Sequence, residues 1–127
     1  DFRSRKRFSL DIYFDGVTDT TTLNIIDVRL RWKFQRDDGK EMEIDVMAKS
    51  ECGRIVLVDV KKTKERTGIA LVKDFVEKCD AYSAIFPEQL LLPAFLSTGG
   101  FTEEATRFCR ENCIGISDKI TYFLSFE

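Results

Sequence analysis

Asp45, Asp59 and Lys61 are the residues best suited to chemistry. Carboxylates are hard oxygen donors of the kind that hold Mg2+ or Mn2+. A lysine amine beside them can position or deprotonate a water, or hold charge that develops on a phosphoryl group. A hairpin would bring the three together. Residues 41–50 (EMEIDVMAKS) and 54–62 (RIVLVDVKK), closed on Glu51-Cys52-Gly53, put Asp45 directly opposite Asp59. Their Cβ atoms would lie roughly 4.5–5.5 Å apart. Lys61, two positions past Asp59, falls on the same face. Opposed carboxylates repel, and a divalent cation offsets that repulsion. The backbone carbonyl of Val60 would be a further ligand, and a metal held there would acidify a bound water. The chain has no histidine. That excludes Ser–His or Cys–His catalysis and histidine-ligated zinc from this chain alone, and makes Lys61 the candidate base.

The same residues admit a plainer reading. If residues 25–36 and 41–50 form a hairpin closed on Asp37-Asp38-Gly39, Asp45 faces Arg31 and could pair with it. Asp59 could pair with Lys61 as ordinary surface charge. Position favours the metal site: the buried run Ile55-Val56-Leu57-Val58 ends abruptly in an acid and a lysine.

The elements that must hold these residues follow from periodicity. Residues 25–36 alternate, with Ile26, Val28, Leu30, Trp32 and Phe34 on one face, and read as a half-buried strand. In 41–50, Met42, Ile44 and Val46 oppose Glu41, Glu43 and Asp45. Residues 54–62 are apolar on both faces, as in a central strand. Residues 67–86 switch to helical spacing: Val72, Phe75, Val76, Cys79, Tyr82 and Phe86 form a stripe, Lys73, Asp74, Glu77, Lys78 and Asp80 a solvent side, and Pro87 ends the helix. Residues 89–97 read as a buried strand in which Pro93 marks a bulge or an edge. Thr102 caps a second helix that Gly115 can end, and 119–126 read as a last strand. Residues 8–24 hold a short strand or an approach to the sheet. The expected architecture is α/β: a three-strand meander, helix, strand, helix, strand, in a mixed β-sheet flanked by helices.

Composition bounds the rest. A chain of 127 residues with 43% hydrophobic content is one folded domain. It opens on Asp1 rather than methionine, so a fragment lacking an upstream helix is expected. No apolar run approaches the roughly 20 residues that span a bilayer, so no membrane partner is expected. The four cysteines form no CxxC. They suit a reduced, cytoplasmic protein better than an iron–sulfur cluster. The net charge of −2 restricts any nucleic-acid contact to local basic runs, Arg3, Arg5, Lys6 and Arg7, and Lys62, Lys64 and Arg66 with Lys61.

The run EIDVMAKSECGRIVLVDVKKTK resembles the core of the PD-(D/E)xK, or restriction-endonuclease-like, nuclease superfamily. Asp45 matches the first acid and Asp59-Val60-Lys61 the acid-x-lysine. STGGFTEEATRFCRENCIGIS is similar to that superfamily's second helix and flanking strand. The likeness covers about residues 25–117 and extends to archaeal and cyanobacterial members with an upstream helical segment. It departs in two places. Ile44 stands where a proline often precedes the first acid, and residues 1–24 hold no glutamate to serve as the helix acid. Asp11 or Asp27 could substitute for that acid, Glu43 could assist, and Lys73 or Glu77 could reach the site from the first helix. The resemblance implies an Mg2+- or Mn2+-dependent nuclease acting on DNA, with a homodimer enlarging the footprint of so small a domain. The competing expectation is a catalytically inactive module of the same fold, used for nucleic-acid binding or protein assembly.

Overall fold

The computed structural model describes residues 7–119. Six strands form one sheet in chain order: β1 (Arg7–Phe8), β2 (Leu23–Gln35), β3 (Glu41–Ser50), β4 (Arg54–Lys61), β5 (Leu90–Ser97) and β6 (Gly115–Ser117). Neighbours from β1 to β4 are antiparallel, and β5 and β6 add in parallel. Parallel neighbours need a crossover. Helices α1 (Ile69–Ile85) and α2 (Glu103–Glu111) supply the two crossovers. This is the expected order of meander, helix, strand, helix, strand, in a mixed α/β sheet.

Local chemistry explains the boundaries. Gly53 closes the β3–β4 hairpin at φ 90°, and its N–H donates to Ser50 O at 3.1 Å. Thr102 caps α2, its Oγ1 accepting from Ala105 N at 3.1 Å. Pro87 follows the end of α1. On the helical face of the sheet, Ile44, Met47, Ile55 and Leu57 pack with Val72, Phe75, Tyr82 and Cys109. On the other, Ala48, Val56, Val58 and Leu96 pack with Phe8, Leu10 and Phe14 from the N-terminal segment. That double cover is why β4 is apolar on both faces until Asp59.

Two expectations are corrected, at β2 and at Gly115. The alternation of β2 is broken twice, by a register shift between Ile25 and Asp27 and by Arg31, which adopts φ 50°. Ile25 is therefore buried, and Ile26 and Leu30 are exposed. Pro93 marks a local edge, one of its two expected places, with no bulge in the register. It sits in the fifth strand of six, opposite Leu57, and β6 pairs only from Ala94 onward. Gly115 does not end α2, which is capped by Asn112 with Cys113 at φ 56°. Gly115 starts β6 instead, where a Cβ would come within 2.6 Å of the Val17 side chain. The last described strand is thus Gly115–Ser117, and the strand expected at 119–126 lies almost entirely outside the described residues.

An ion pair helps tie the N-terminal segment to the sheet. Arg54 Nε donates to Asp19 Oδ2 at 2.7 Å, and Thr21 N donates to Asp19 Oδ1 at 3.0 Å. The guanidinium, then the Thr21 donor, hold the Asp19 carboxyl down at about 2. A depressed carboxyl stabilises the fold while ionised, so its contribution is complete above about pH 4 and lost as pH falls toward about 2. Asp19→Asn should flatten the acid limb of Tm against pH in that window. An unchanged limb would show that the pair adds nothing to stability.

Candidate functional site

The β3–β4 ladder pairs Lys49 with Ile55, Ala48 with Val56, Met47 with Leu57 and Val46 with Val58, and its Cα pairing stops there. The next facing positions are Asp45 and Asp59. At this point the side chains replace the backbone ladder. Asp45 N donates to Asp59 Oδ1 at 3.1 Å, and Val60 N donates to Asp45 Oδ2 at 2.8 Å. Each carboxylate accepts from the main chain of the opposite strand.

The strand turns over at the same place. Val46 and Ala48 pack on the N-terminal side of the sheet, whereas Ile44 and Met47 both pack on the helical side. Asp45 is the residue between the two patterns. Its neighbour across β2 is Arg31, whose positive φ flips that strand too. Beyond this joint, Trp32 and Phe34 pack on α1 through Tyr82, at ring-centroid distances of 5.5 and 6.0 Å. Arg36 Nη1 reaches Glu77 Oε1 at 2.6 Å. The far end of the β2–β3 hairpin thus folds over the helix.

Asp59 is 8% exposed. Burial pushes its carboxyl above the usual carboxylate range, and the Lys78 ammonium opposes that shift. Lys78 Nζ, on α1, lies 2.9 Å from Asp59 Oδ2. This is the residue that sequence reasoning missed. Lys78 was expected on the solvent side of α1, but it is half-buried. The signal was present, since Lys78 lies three residues after Phe75 and four before Tyr82, within the buried stripe.

Lys61 is exposed at the end of β4, on the Asp59 side by alternation. Neither plainer pairing forms: Asp45 accepts from Val60 N rather than from Arg31, and Asp59 pairs with Lys78 rather than with Lys61. Glu43 is exposed and stands opposite Lys33. The other candidates from the sequence are engaged or apart. Asp11 is exposed in a short 3-10 turn, and Asp27 pairs with Arg29 at 3.1 Å. Lys73 sits 5.8 Å over the Phe108 ring, and Glu77 holds Arg36. Arg7 is exposed in β1; Arg3, Arg5 and Lys6 lie outside the described residues.

Lys62, Lys64 and Arg66 are exposed on a loop that is firmly held. Thr63 N donates to Thr98 Oγ1 at 2.9 Å, Thr98 Oγ1 donates back to Thr63 O at 2.8 Å, and buried Thr67 donates to Ser97 Oγ at 2.7 Å. Gly99 lets the two loops touch, because a Cβ there would lie 2.0 Å from Glu65 O. The basic side chains therefore project from fixed backbone beside the end of β4.

Among the described residues, Cys79 and Cys109 are buried free thiols, and Cys52 and Cys113 are exposed. Burial pushes Cys109 up to about 11 and Cys79 higher still. Neither is a nucleophile at neutral pH. No three His, Cys, Asp or Glu side chains among the described residues group as a metal cluster. No described helix is long and apolar enough to cross a membrane.

No family model matches the chain, and no curated relative matches it. Two solved structures share its fold. One is a protein of unknown function, at TM-score 0.55 and 20% identity over 71% of this chain. The other is a repair endonuclease from Pyrococcus abyssi, at TM-score 0.58 and 16% identity over 73% of this chain. The chain spans 47% and 38% of those proteins, less than half of either. The curled six-stranded sheet with its two helices is a restriction-endonuclease-like fold.

Proposed function

We propose that this domain is a PD-(D/E)xK nuclease that cleaves DNA with Mg2+ or Mn2+. The observation that carries this reading is the interruption of the β3–β4 ladder, with Asp45 and Asp59 facing each other across it. A structural pair would not need two acids at one joint of a central strand. The endonuclease with a similar fold adds support from outside the chain.

The donor set fits such a metal. Asp45, Asp59 and the Val60 carbonyl offer hard oxygens, and Mg2+ commonly binds through one or two carboxylates while keeping waters and taking substrate phosphate. Bound there, the metal would acidify a water and neutralise charge on a phosphate oxygen. Lys61 positions that water or holds the charge that develops on the phosphoryl group. Lys62, Lys64 and Arg66 bind backbone phosphates without regard to sequence, so affinity falls as salt rises.

The test is cleavage of DNA with manganese by the full-length protein and by its Lys61→Ala variant. Loss of a positioned general base or of a charge-stabilising amine lowers rates by about 10²-fold or more. Equal cleavage by the variant would remove Lys61 from the mechanism. One observation favours the second reading, an inactive module of the same fold: the described residues offer two acids at the joint and no cluster of three. No cleavage by the wild-type protein, with DNA binding retained, would select that reading.

A further inference from the structure

The carboxylate oxygens of the site are largely engaged. Asp59 Oδ1 accepts from Asp45 N, Asp59 Oδ2 from Lys78 Nζ, and Asp45 Oδ2 from Val60 N. The Lys78–Asp59 contact is well covered, with the two side chains 29% and 11% exposed. It is also built in from outside the meander. Lys78 comes from α1, and that helix is anchored on either side of it by Phe75 and Tyr82, which are 1% and 2% exposed. Whichever oxygen of Asp59 a divalent ion took, it would stand close to the Lys78 ammonium on Oδ2. An ammonium and a divalent cation on one carboxylate, away from bulk water, repel strongly.

We propose that Lys78 is a resident counter-ion that the metal must displace from Asp59. The inference rests on the nuclease reading above and concerns how its site is regulated. Without nucleic acid, Lys78 neutralises Asp59 and keeps the joint folded at the expense of metal affinity. The flexible lysine stem lets the ammonium swing off Asp59 when another anion is near. A substrate phosphate is such an anion, so metal and nucleic acid favour each other's binding through Lys78, and the coupling is reciprocal. A lysine that only positioned water would not oppose the metal in this way.

The experiment is calorimetric titration of Mn2+ alone, without nucleic acid, into wild-type protein and into Lys78→Met and Lys78→Gln. Circular dichroism confirms folding. Gln keeps a donor for Asp59 without the charge, and it decides the question if the Met variant does not fold. Arg36→Met, which removes a different cation packed on the same helix, is the control and should leave Mn2+ affinity unchanged. The neutral Lys78 variants should bind Mn2+ about tenfold more tightly than wild type, within the usual range of such couplings. Their metal-free Tm should fall and recover on adding Mn2+. Wild-type binding with unchanged or weaker binding in a folded Lys78 variant overturns the counter-ion role and leaves the metal reading standing. Absence of binding by wild type and variants at millimolar Mn2+ overturns the metal reading, and the counter-ion role with it.

Discussion

An Asp59→Asn variant should lose manganese-dependent DNA cleavage by about 10²–10³-fold while remaining folded, the size of effect seen when one electrostatic contributor to a transition state is removed. The substitution is nearly isosteric. The asparagine carbonyl can still accept from Asp45 N, so the joint between β3 and β4 keeps that hydrogen bond. What disappears is the negative charge. A neutral amide oxygen is a weaker ligand for a hard divalent ion. The variant also strands Lys78, whose ammonium then has no carboxylate at 2.9 Å. That change lowers stability, and the relief of no longer burying an ionised carboxyl works in the opposite direction. Initial rates on plasmid DNA with Mn2+ measure the first effect, and urea unfolding measures the second. Cleavage within a few-fold of wild type would remove Asp59 from the active site. Loss of cleavage in a protein that had also unfolded would not count, which is why both measurements are paired.

Tyr82→Ala should be the most damaging single truncation, at about 3–5 kcal/mol of unfolding free energy, the range for removing a large aromatic from a packed core. The ring is 2% exposed. It lies edge-on to Trp32 and Phe34 and tilts against Phe86 at a centroid distance of 4.8 Å. Its hydroxyl donates to Gln89 Oε1, fixing the start of β5. Tyr82 is therefore where α1, the folded-over hairpin and the α1–β5 connection meet. It also stands one turn beyond Lys78, so its loss should loosen the helix that presents the lysine to Asp59. Chemical denaturation gives the free energy. A loss under about 1 kcal/mol would mean the surrounding rings collapse into the gap, at the small end of what core sites show.

Much of this was legible because it is local. Hairpin register is set by a short turn and by alternation with a period of two, so the facing of Asp45 and Asp59 follows from Glu51-Cys52-Gly53 and the flanking residues. Helix ends are set by nearby capping groups, so Thr102 and Pro87 bound their helices as expected. Periodicity also found the inward stripe of α1 and the doubly covered β4.

What was not legible depends on partners distant in the chain. Spacing places Lys78 within the buried stripe of α1, but its partner Asp59 emerges only when the helix is laid on the sheet. Arg31 looks like one more alternating strand residue, but the hairpin must fold over α1, and the backbone turns at Arg31 and Asp45 to let it. Gly115 reads as a helix cap, whereas its glycine is required by the approach of Val17 and Phe14 from the N-terminal segment. The sequence by itself determined the elements, their order and the meeting of two acids on a hairpin, because these rest on turns and periodicity. Only the tertiary structure decided how those acids are held: by each other's strand and by a lysine from the crossing helix. The angle at which a helix crosses a sheet emerges from the packing of the whole core, and no short stretch of residues encodes it.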